Sequence, residues 1–355
     1  MTAVSHPLPA IDVGALARWL TDVLAGRVEP DDLTMRRPSG GGWSNDTLFV
    51  DIAASGTPST IVVRLAPAGP SMFPEYDLGR QCAVMQAVRA RGAVPVPAIL
   101  GADLDGAALG RPAFAMTFAA GRVPADDRPS FAETGFLFDA SPGEQRAFHI
   151  GLLDAIVAIH RTACDGPVSK ALASRDALAS VDAAVDGLAQ TWAFDQGDRC
   201  SPVVDDVLAR LRVSAPVSSG DVLLWGDARP ANVVVAEHGF DPVALLDWEL
   251  ATIGPPEMEL TWLAEMNRMR MQGSGVTPLP GFLDDDAAAS YYEQRSGRRL
   301  ANVPWYQLLA ATRIAVLMHR HLRVMVHVDR LPADHRLLSD NIATRRLAEL
   351  AKTTG

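Results

Sequence analysis

Apolar residues near the start of the chain repeat at helical spacing: Ile11, Leu16, Trp19, Leu20, Val23 and Leu24. That period lays them along one stripe of a helix over about residues 11–25. The period then shortens. Thr34–Arg37, Thr47–Ile52 and Thr60–Ala66 are β-type runs separated by Gly, Ser and Pro, which predicts strands. Helical spacing returns over Glu75–Arg91, with Pro74 suited to the first turn and Gly92 to the end. Two more short strands are expected near Ile99 and at Ala113–Phe118, and Gly121 follows as a candidate hinge. From about Pro142 the pattern is mostly helical, with expected helices at Gln145–Thr162, Lys170–Phe194 and Pro202–Val213. A loop and hairpin come next, then helices to the end. Strands first and helices after predict an α+β fold in two lobes. Residues 1–119 would form a small lobe of antiparallel sheet plus helix, and residues 120–355 a larger, mostly helical one.

Composition narrows the classes. The 355 residues are 48% hydrophobic, enough for a sizeable core. The net charge of −10, without a basic run, argues against nucleic-acid or anionic-membrane partners. No apolar run approaches the roughly 18 residues of a spanning helix. Three cysteines (Cys82, Cys164 and Cys200) without metal or redox spacing fit a reducing, cytoplasmic setting, as does an N-terminus lacking a signal-peptide pattern.

The chemistry concentrates in one segment. Leu224-Trp225-Gly226-Asp227-Ala228-Arg229-Pro230-Ala231-Asn232 is followed by Leu245-Leu246-Asp247-Trp248-Glu249. Asp227 and Asn232 sit five residues apart on a tight loop and can point into one small volume. Between them and Asp247, the runs Val233–Val235 and Val243–Leu246 flank the turn Glu237-His238-Gly239, so pairing of the two runs would bring their ends together. An acid that can accept a hydroxyl proton, plus two hard oxygen donors suited to magnesium, is the division of labour in phosphoryl transfer. Asp227 is the candidate base, and Asn232 and Asp247 the candidate metal ligands. Each could instead cap a turn or helix. Glu249 could reach a metal through water or simply order the turn.

These motifs resemble the aminoglycoside phosphotransferase family, in the branch reading Gly-Asp-x-Arg-x-x-Asn and Leu-Asp-Trp-Glu. The similarity runs from about Arg37 to about His321. It implies a bilobal protein-kinase-like fold and a Mg2+- and ATP-dependent phosphotransferase acting on a hydroxyl of a small molecule, as monomer or homodimer. Arg229, two residues after the base, would offset charge on the transferring phosphoryl group; an ion pair with a nearby acid is the alternative. Ser39-Gly40-Gly41-Gly42-Trp43-Ser44-Asn45 resembles the phosphate-covering loop, with Gly41, Gly42, Ser44 and Asn45 as the contacts. Arg64 stands at the strand position of the family's ATP-binding Lys, and Gln81 where a Glu usually pairs with it. Both are departures from the family pattern. Asp77, one turn before Gln81, is a possible anionic partner for Arg64. Met116 and Phe118 match the linker whose backbone would bind adenine, although core packing accounts for them equally well. Glu259 matches an acid that braces the catalytic loop.

The expected acceptor wall comprises Glu265–Met271 and the segment around Trp305 and Tyr306. The departures at Arg64 and Gln81 keep a second reading open, a nucleotide-binding pseudokinase without turnover. A metal-dependent hydrolase using Asp227, Asp241 and Asp247 would need further ligands near the hairpin. His319, His321, His327 and His335 lack the spacing of a metal site, His160 reads as a hydrogen-bonded helix end, and Asp284–Asp286 as a helix start.

Overall fold

The amphipathic stripe at the start of the chain becomes helix Val13–Leu24 (α1), capped by the Asp12 carboxylate, which accepts from the N–H groups of Gly14 and Ala15. The structure is a computed structural model that describes residues 8, 11–38, 45–53, 59–172, 181–198, 200–271 and 275–353. Five strands follow α1: Leu33–Arg36 (β1), Asp46–Ile52 (β2), Ser59–Leu65 (β3), Ile99–Asp103 (β4) and Ala113–Thr117 (β5). They form one antiparallel sheet in the order β1-β2-β3-β5-β4. Strand alternation sorts their side chains between two faces. Ile61, Val63, Leu65, Ala113 and Ala115 pack with Leu16 and Leu20 of α1. Val62, Phe114 and Met116 point the other way, into a core shared with helix Leu78–Arg91 (α2). Arg64 shares the parity of Val62 and therefore faces inward, not toward solvent.

Helix α2 starts three residues later than the expected Glu75, because the Asp77 side chain accepts from Arg80 N–H and fixes the first turn there. Pro74 thus lies ahead of the helix. The expected helix Lys170–Phe194 is replaced by two, Gly166–Leu172 (α4) and Val181–Ala193 (α5). Helix Pro142–His160 (α3) starts earlier than expected, where Ser141 and Glu144 form a reciprocal capping box. Helix Pro202–Val213 (α6) matches its expected bounds.

The remaining strands are short. Val233–Val235 (β7) pairs with Pro242–Leu245 (β8) as the hairpin pattern predicted. Val222–Leu224 (β6) pairs with Thr252–Gly254 (β9), a ribbon that three-residue apolar runs did not announce. Helices Glu257–Arg270 (α7), Asp285–Ser296 (α8), Val303–His327 (α9) and Ile342–Thr353 (α10) complete the chain. Asp284 caps α8 by accepting from Ala287 N–H at 2.8 Å.

One apolar cluster joins the sheet side to the helical side: Val62, Phe114 and Val88 continue into Phe148, Leu152 and Ile156 of α3 and on to Val233 and Leu245 of the hairpin. A second cluster binds α5, α6, α7, α9 and α10 through Trp192, Leu211, Trp262, Tyr306, Ile314 and Leu347. Each such fully buried side chain contributes roughly 1.5–3 kcal/mol by removal from water. The candidate hinge is held against the hairpin. Arg122 and Val235 exchange backbone hydrogen bonds of 2.9 Å, and a Cβ on Gly121 (φ 149°) would lie 2.1 Å from the Val235 carbonyl oxygen. Among the described residues no helix is long and apolar enough to cross a membrane.

Candidate active site

The loop after β6 is braced from below before any of its side chains can act. Glu259, 2% exposed on α7, accepts from the N–H of Trp225 at 2.9 Å and of Gly226 at 2.6 Å. His160 holds the same carboxylate at 3.0 Å, and its other ring nitrogen meets the Tyr292 hydroxyl at 2.8 Å. Gly226 has φ 90°, and a Cβ there would sit 2.1 Å from the Leu250 carbonyl oxygen, so this position requires glycine. Arg313 Nη2 donates to the Gly226 carbonyl at 2.9 Å.

Asp227, 7% exposed, emerges from this brace with three side-chain donors around its carboxylate. Asn232 Nδ2 lies 2.8 Å and Arg229 Nε 2.9 Å from Oδ2, while Trp262 Nε1 lies 3.0 Å from Oδ1. Asn232 Nδ2 also donates to the Asp227 carbonyl at 2.9 Å. With both amide hydrogens spent on Asp227, the Asn232 Oδ1 remains as an acceptor.

The hairpin brings the second acid alongside. Leu246 N–H donates to the Asn232 carbonyl at 2.8 Å, so Asp247 follows directly on the residue paired with Asn232. Asp247 adopts a left-handed conformation, φ 60° and ψ 63°, which is uncommon for a residue with a side chain and marks functional turns. Its Oδ1 accepts from Arg64 Nη1 at 2.9 Å, which leaves Oδ2. Two hard oxygen donors, Asn232 Oδ1 and Asp247 Oδ2, suit magnesium, which binds few protein oxygens and takes its remaining ligands from water and phosphate.

Arg64 is 7% exposed and also lies 3.7 Å from Glu249 Oε2, the same oxygen that accepts from Asn45 Nδ2 at 2.6 Å. Burial disfavours the Arg64 charge, but Asp247 and Glu249 outweigh it and raise its pKa above the ordinary value. Arg229 follows the same logic: burial opposes its charge, and Asp227, Asp126 and Asp247 more than reverse that. Both guanidiniums stay charged.

The nucleotide-side expectations need two corrections. Gln81 does not bond Arg64; it is 2% exposed, with neither Oε1 nor Nε2 hydrogen-bonded. Asp77 caps α2, and the anions facing Arg64 come from Asp247 and Glu249 instead. Gly41, Gly42 and Ser44 lie outside the described residues; Asn45 is described and binds Glu249. Met116 is buried in the core, while Phe118 is exposed at the exit of β5, with its ring 5.3 Å from that of Phe49.

The acceptor side also departs from expectation. Trp305 and Tyr306 are buried in the helical core and form no wall of the cleft. Glu265 turns away, held by Arg346 at 2.8 and 3.0 Å. Met266, Asn267 and Arg270 of α7 do face the cleft beside Arg229, together with Asp126 and Phe131. Arg270 lies within the expected segment Glu265–Met271, whereas Asp126, Trp262 and Arg313 were not singled out from sequence, because no spacing to Asp227 connects them; only folding does. The histidines near the end have other partners: His319 meets the carbonyls of Leu338 and Gln196 at 3.0 Å, and His327 meets Asp195 at 2.6 Å.

Comparison with known proteins agrees with this geometry. Residues 36–300 match the APH phosphotransferase enzyme family. A Mus musculus protein, acyl-CoA dehydrogenase family member 10, is 25% identical over 224 residues, which is 62% of this chain and 19% of that one. The Arabidopsis thaliana protein IBR3, named for acyl-CoA dehydrogenase, is 23% identical over 68% of this chain and 29% of its own. The chain thus spans less than a third of either relative. A Ralstonia eutropha structure described provisionally as an aminoglycoside phosphotransferase superposes with a TM-score of 0.67 at 22% identity, over 97% of both chains. The aminoglycoside phosphotransferase APH(4)-Ia, in complex with AMP-PNP and hygromycin B, gives 0.55 at 15% identity over 96% of this chain and 98% of its own. A Plasmodium vivax ethanolamine kinase gives 0.57 at 10% identity over 92% and 85%. At these identities the structures speak for a shared kinase-like fold, and the family match speaks for descent: this chain belongs to the APH phosphotransferase enzyme family.

Proposed function

We propose that the protein is a Mg2+- and ATP-dependent kinase that phosphorylates a hydroxyl group of a small molecule. The observation that carries this reading is the convergence of Asp227, Asn232 and Asp247 at the ends of one loop and one hairpin, with Arg64 tied to Asp247. Asn232 Oδ1 and Asp247 Oδ2 would hold magnesium, which would supply positive charge to offset that of the phosphates. Arg64 would swing part of its fork from Asp247 to the nucleotide's phosphates, where its planar geometry suits paired oxygens. Asp227 would accept the acceptor hydroxyl's proton at Oδ1 or Oδ2 and hold that oxygen in line; in a loose transition state alignment matters more than basicity. Arg229 would face the phosphoryl oxygens as charge builds on them. Backbone at Met116–Phe118 and the loop carrying Gly41, Gly42, Ser44 and Asn45 would complete the nucleotide site, with residues 1–119 and 120–355 as the two lobes.

Family membership leaves the acceptor open, since substrate identity lives in the site and not in the fold. The relatives named for acyl-CoA dehydrogenases add hydroxyacyl thioesters to the acceptors worth testing, beside amino sugars and amino alcohols. A phosphate-gain screen by mass spectrometry, with Mg-ATP and a panel of hydroxylated metabolites, tests the reading. A product made by the native protein and lost in Asp227→Asn supports it. The unpartnered Gln81 favours one second reading, a nucleotide-binding module without turnover. Tight Mg-ATP binding with no phosphorylated product across the panel would select it.

A further inference from the structure

The left-handed backbone of Asp247, φ 60° and ψ 63°, persists in a residue with a side chain only where its surroundings enforce it. On the upstream side two indoles hold the chain. Trp225 Nε1 donates to the Leu246 carbonyl at 2.7 Å, and Trp248 Nε1 to the Leu245 carbonyl at 2.9 Å. Downstream, the chain enters the one-turn helix Trp248–Leu250, closed by a 3.2 Å bond from Ala251 N–H to the Trp248 carbonyl. So short a helix leaves its last carbonyls without partners inside it.

Helix α2 supplies those partners. Arg80, 9% exposed, donates through Nη2 to the Ala251 carbonyl and through Nη1 to the Glu249 carbonyl at 3.4 Å. A planar fork that spans two carbonyls fixes their relative position, which a flexible ammonium cannot do. The carbonyl between them, that of Leu250, is the one that packs against Gly226 of the catalytic loop. Both carboxylates that meet Arg64, those of Asp247 and Glu249, belong to the same turn. Gln81, the next residue on α2, bonds nothing there. The helix therefore reaches the site through a cation on backbone carbonyls, where the family pattern places an acid on the strand's cation.

We infer that Arg80 is a positioning residue for the cation site. By gripping the Glu249 and Ala251 carbonyls it fixes the downstream end of the turn whose first residue, Asp247, aims Oδ2 at magnesium. The inference rests on the kinase reading of Asp247 and deepens it. Arg80 acts through the backbone of the turn, so that the placement of α2 sets the placement of the metal ligand.

The test reads binding, not turnover. Calorimetry on the full chain gives the affinity for AMP-PNP with saturating Mg2+ and again in EDTA, and the ratio of the two is the metal's contribution. In the native protein the ratio should be large, and Asp247→Asn should remove most of it. Arg80→Met should lower the ratio by roughly tenfold while leaving the metal-free affinity unchanged. Arg80→Lys, which keeps a donor and loses the fork, should lie between, and covers the case in which the Met variant fails to fold. Leu347→Ala, a truncation in the second apolar cluster, should lower the melting temperature without moving the ratio. A native ratio in the Arg80 variants, an equal loss in Leu347→Ala, or a ratio that Arg80→Met lowers and Asp247→Asn does not, overturns the assignment. A large native ratio indifferent to position 80 removes this inference alone. A native protein that binds no nucleotide, or binds it equally with and without Mg2+, removes the kinase reading and this inference together.

Discussion

The indole Nε1 of Trp262 donates to Oδ1 of Asp227 at 3.0 Å, from a ring lying 4.2 Å beneath the guanidinium of Arg313. Helix α7 thus holds the candidate base twice: Glu259 braces the loop backbone, and Trp262, one turn later, fixes the side chain. Arg313 in turn secures both the ring and the Gly226 carbonyl. This stack orients the carboxylate without supplying chemistry of its own.

Trp262→Phe should keep the packing and delete the donor. The expected result is a fall in kcat of about tenfold, with the KM for Mg-ATP unchanged, measured by steady-state kinetics; Asp227→Asn should cost about 10²–10⁴. A Trp262→Phe variant with native kcat would show that Asn232 and Arg229 alone suffice to position Asp227.

Sequence alone suggests that Arg64→Ala would weaken ATP binding with little change in melting temperature. Burial changes that expectation. Arg64 is enclosed against Asp247 and Glu249, so its removal strands two carboxylates and should destabilise the fold by about 3–5 kcal/mol. Chemical denaturation would read this directly. Arg64→Lys, which retains the charge, should recover most of the stability.

Gln81 offers the opposite case. Both of its polar side-chain atoms are buried without partners, so Gln81→Met, similar in volume and apolar, should stabilise the protein by about 1–3 kcal/mol. A lowered melting temperature would mean that the amide has a partner supplied in solution or by nucleotide. Gln81→Glu places an uncompensated acid in the same space and should be tolerated only if the side chain can rotate to Arg64.

His149 predicts an acid-sensitive core. It is 3% exposed, accepts from Leu283 N–H at 3.0 Å and stacks on Phe282 at 4.6 Å. Burial, helped by Arg146, lowers its pKa from 6.5 to about 4. The unfolded chain therefore binds a proton between these values that the folded chain refuses. This stabilisation is complete above about pH 6.5, declines as pH falls toward 4 and levels off below, a loss of up to ~3 kcal/mol. Denaturation midpoints from pH 7 to 4 measure it, and His149→Gln should flatten the slope.

Much of the site was legible because its parts are close in sequence. Asp227, Arg229 and Asn232 share one loop, and two β-type runs around a turn were enough to return Asp247 to them. Glu259 and His160 could be identified as structural before their contact with each other was visible. Strand alternation predicted the sheet, but whether Arg64 faced inward depended on which face α2 would cover. Gln81 and Asp77 show the limit of matching by position: a helical turn apart, either could have paired with Arg64, and capping α2 engaged Asp77 instead.

The sequence by itself therefore determined the strand-then-helix order and the family, and it named the candidates for base and cation ligands, because periodicity and short loops act over a few residues. Tertiary structure decided who surrounds those groups. Asp126, Trp262, Arg270 and Arg313 come from segments 35 to 144 residues away from the groups they touch or from one another. Side chains so far apart along the chain meet only when the hydrophobic clusters close, and those contacts set the charge of the cleft and the orientation of Asp227.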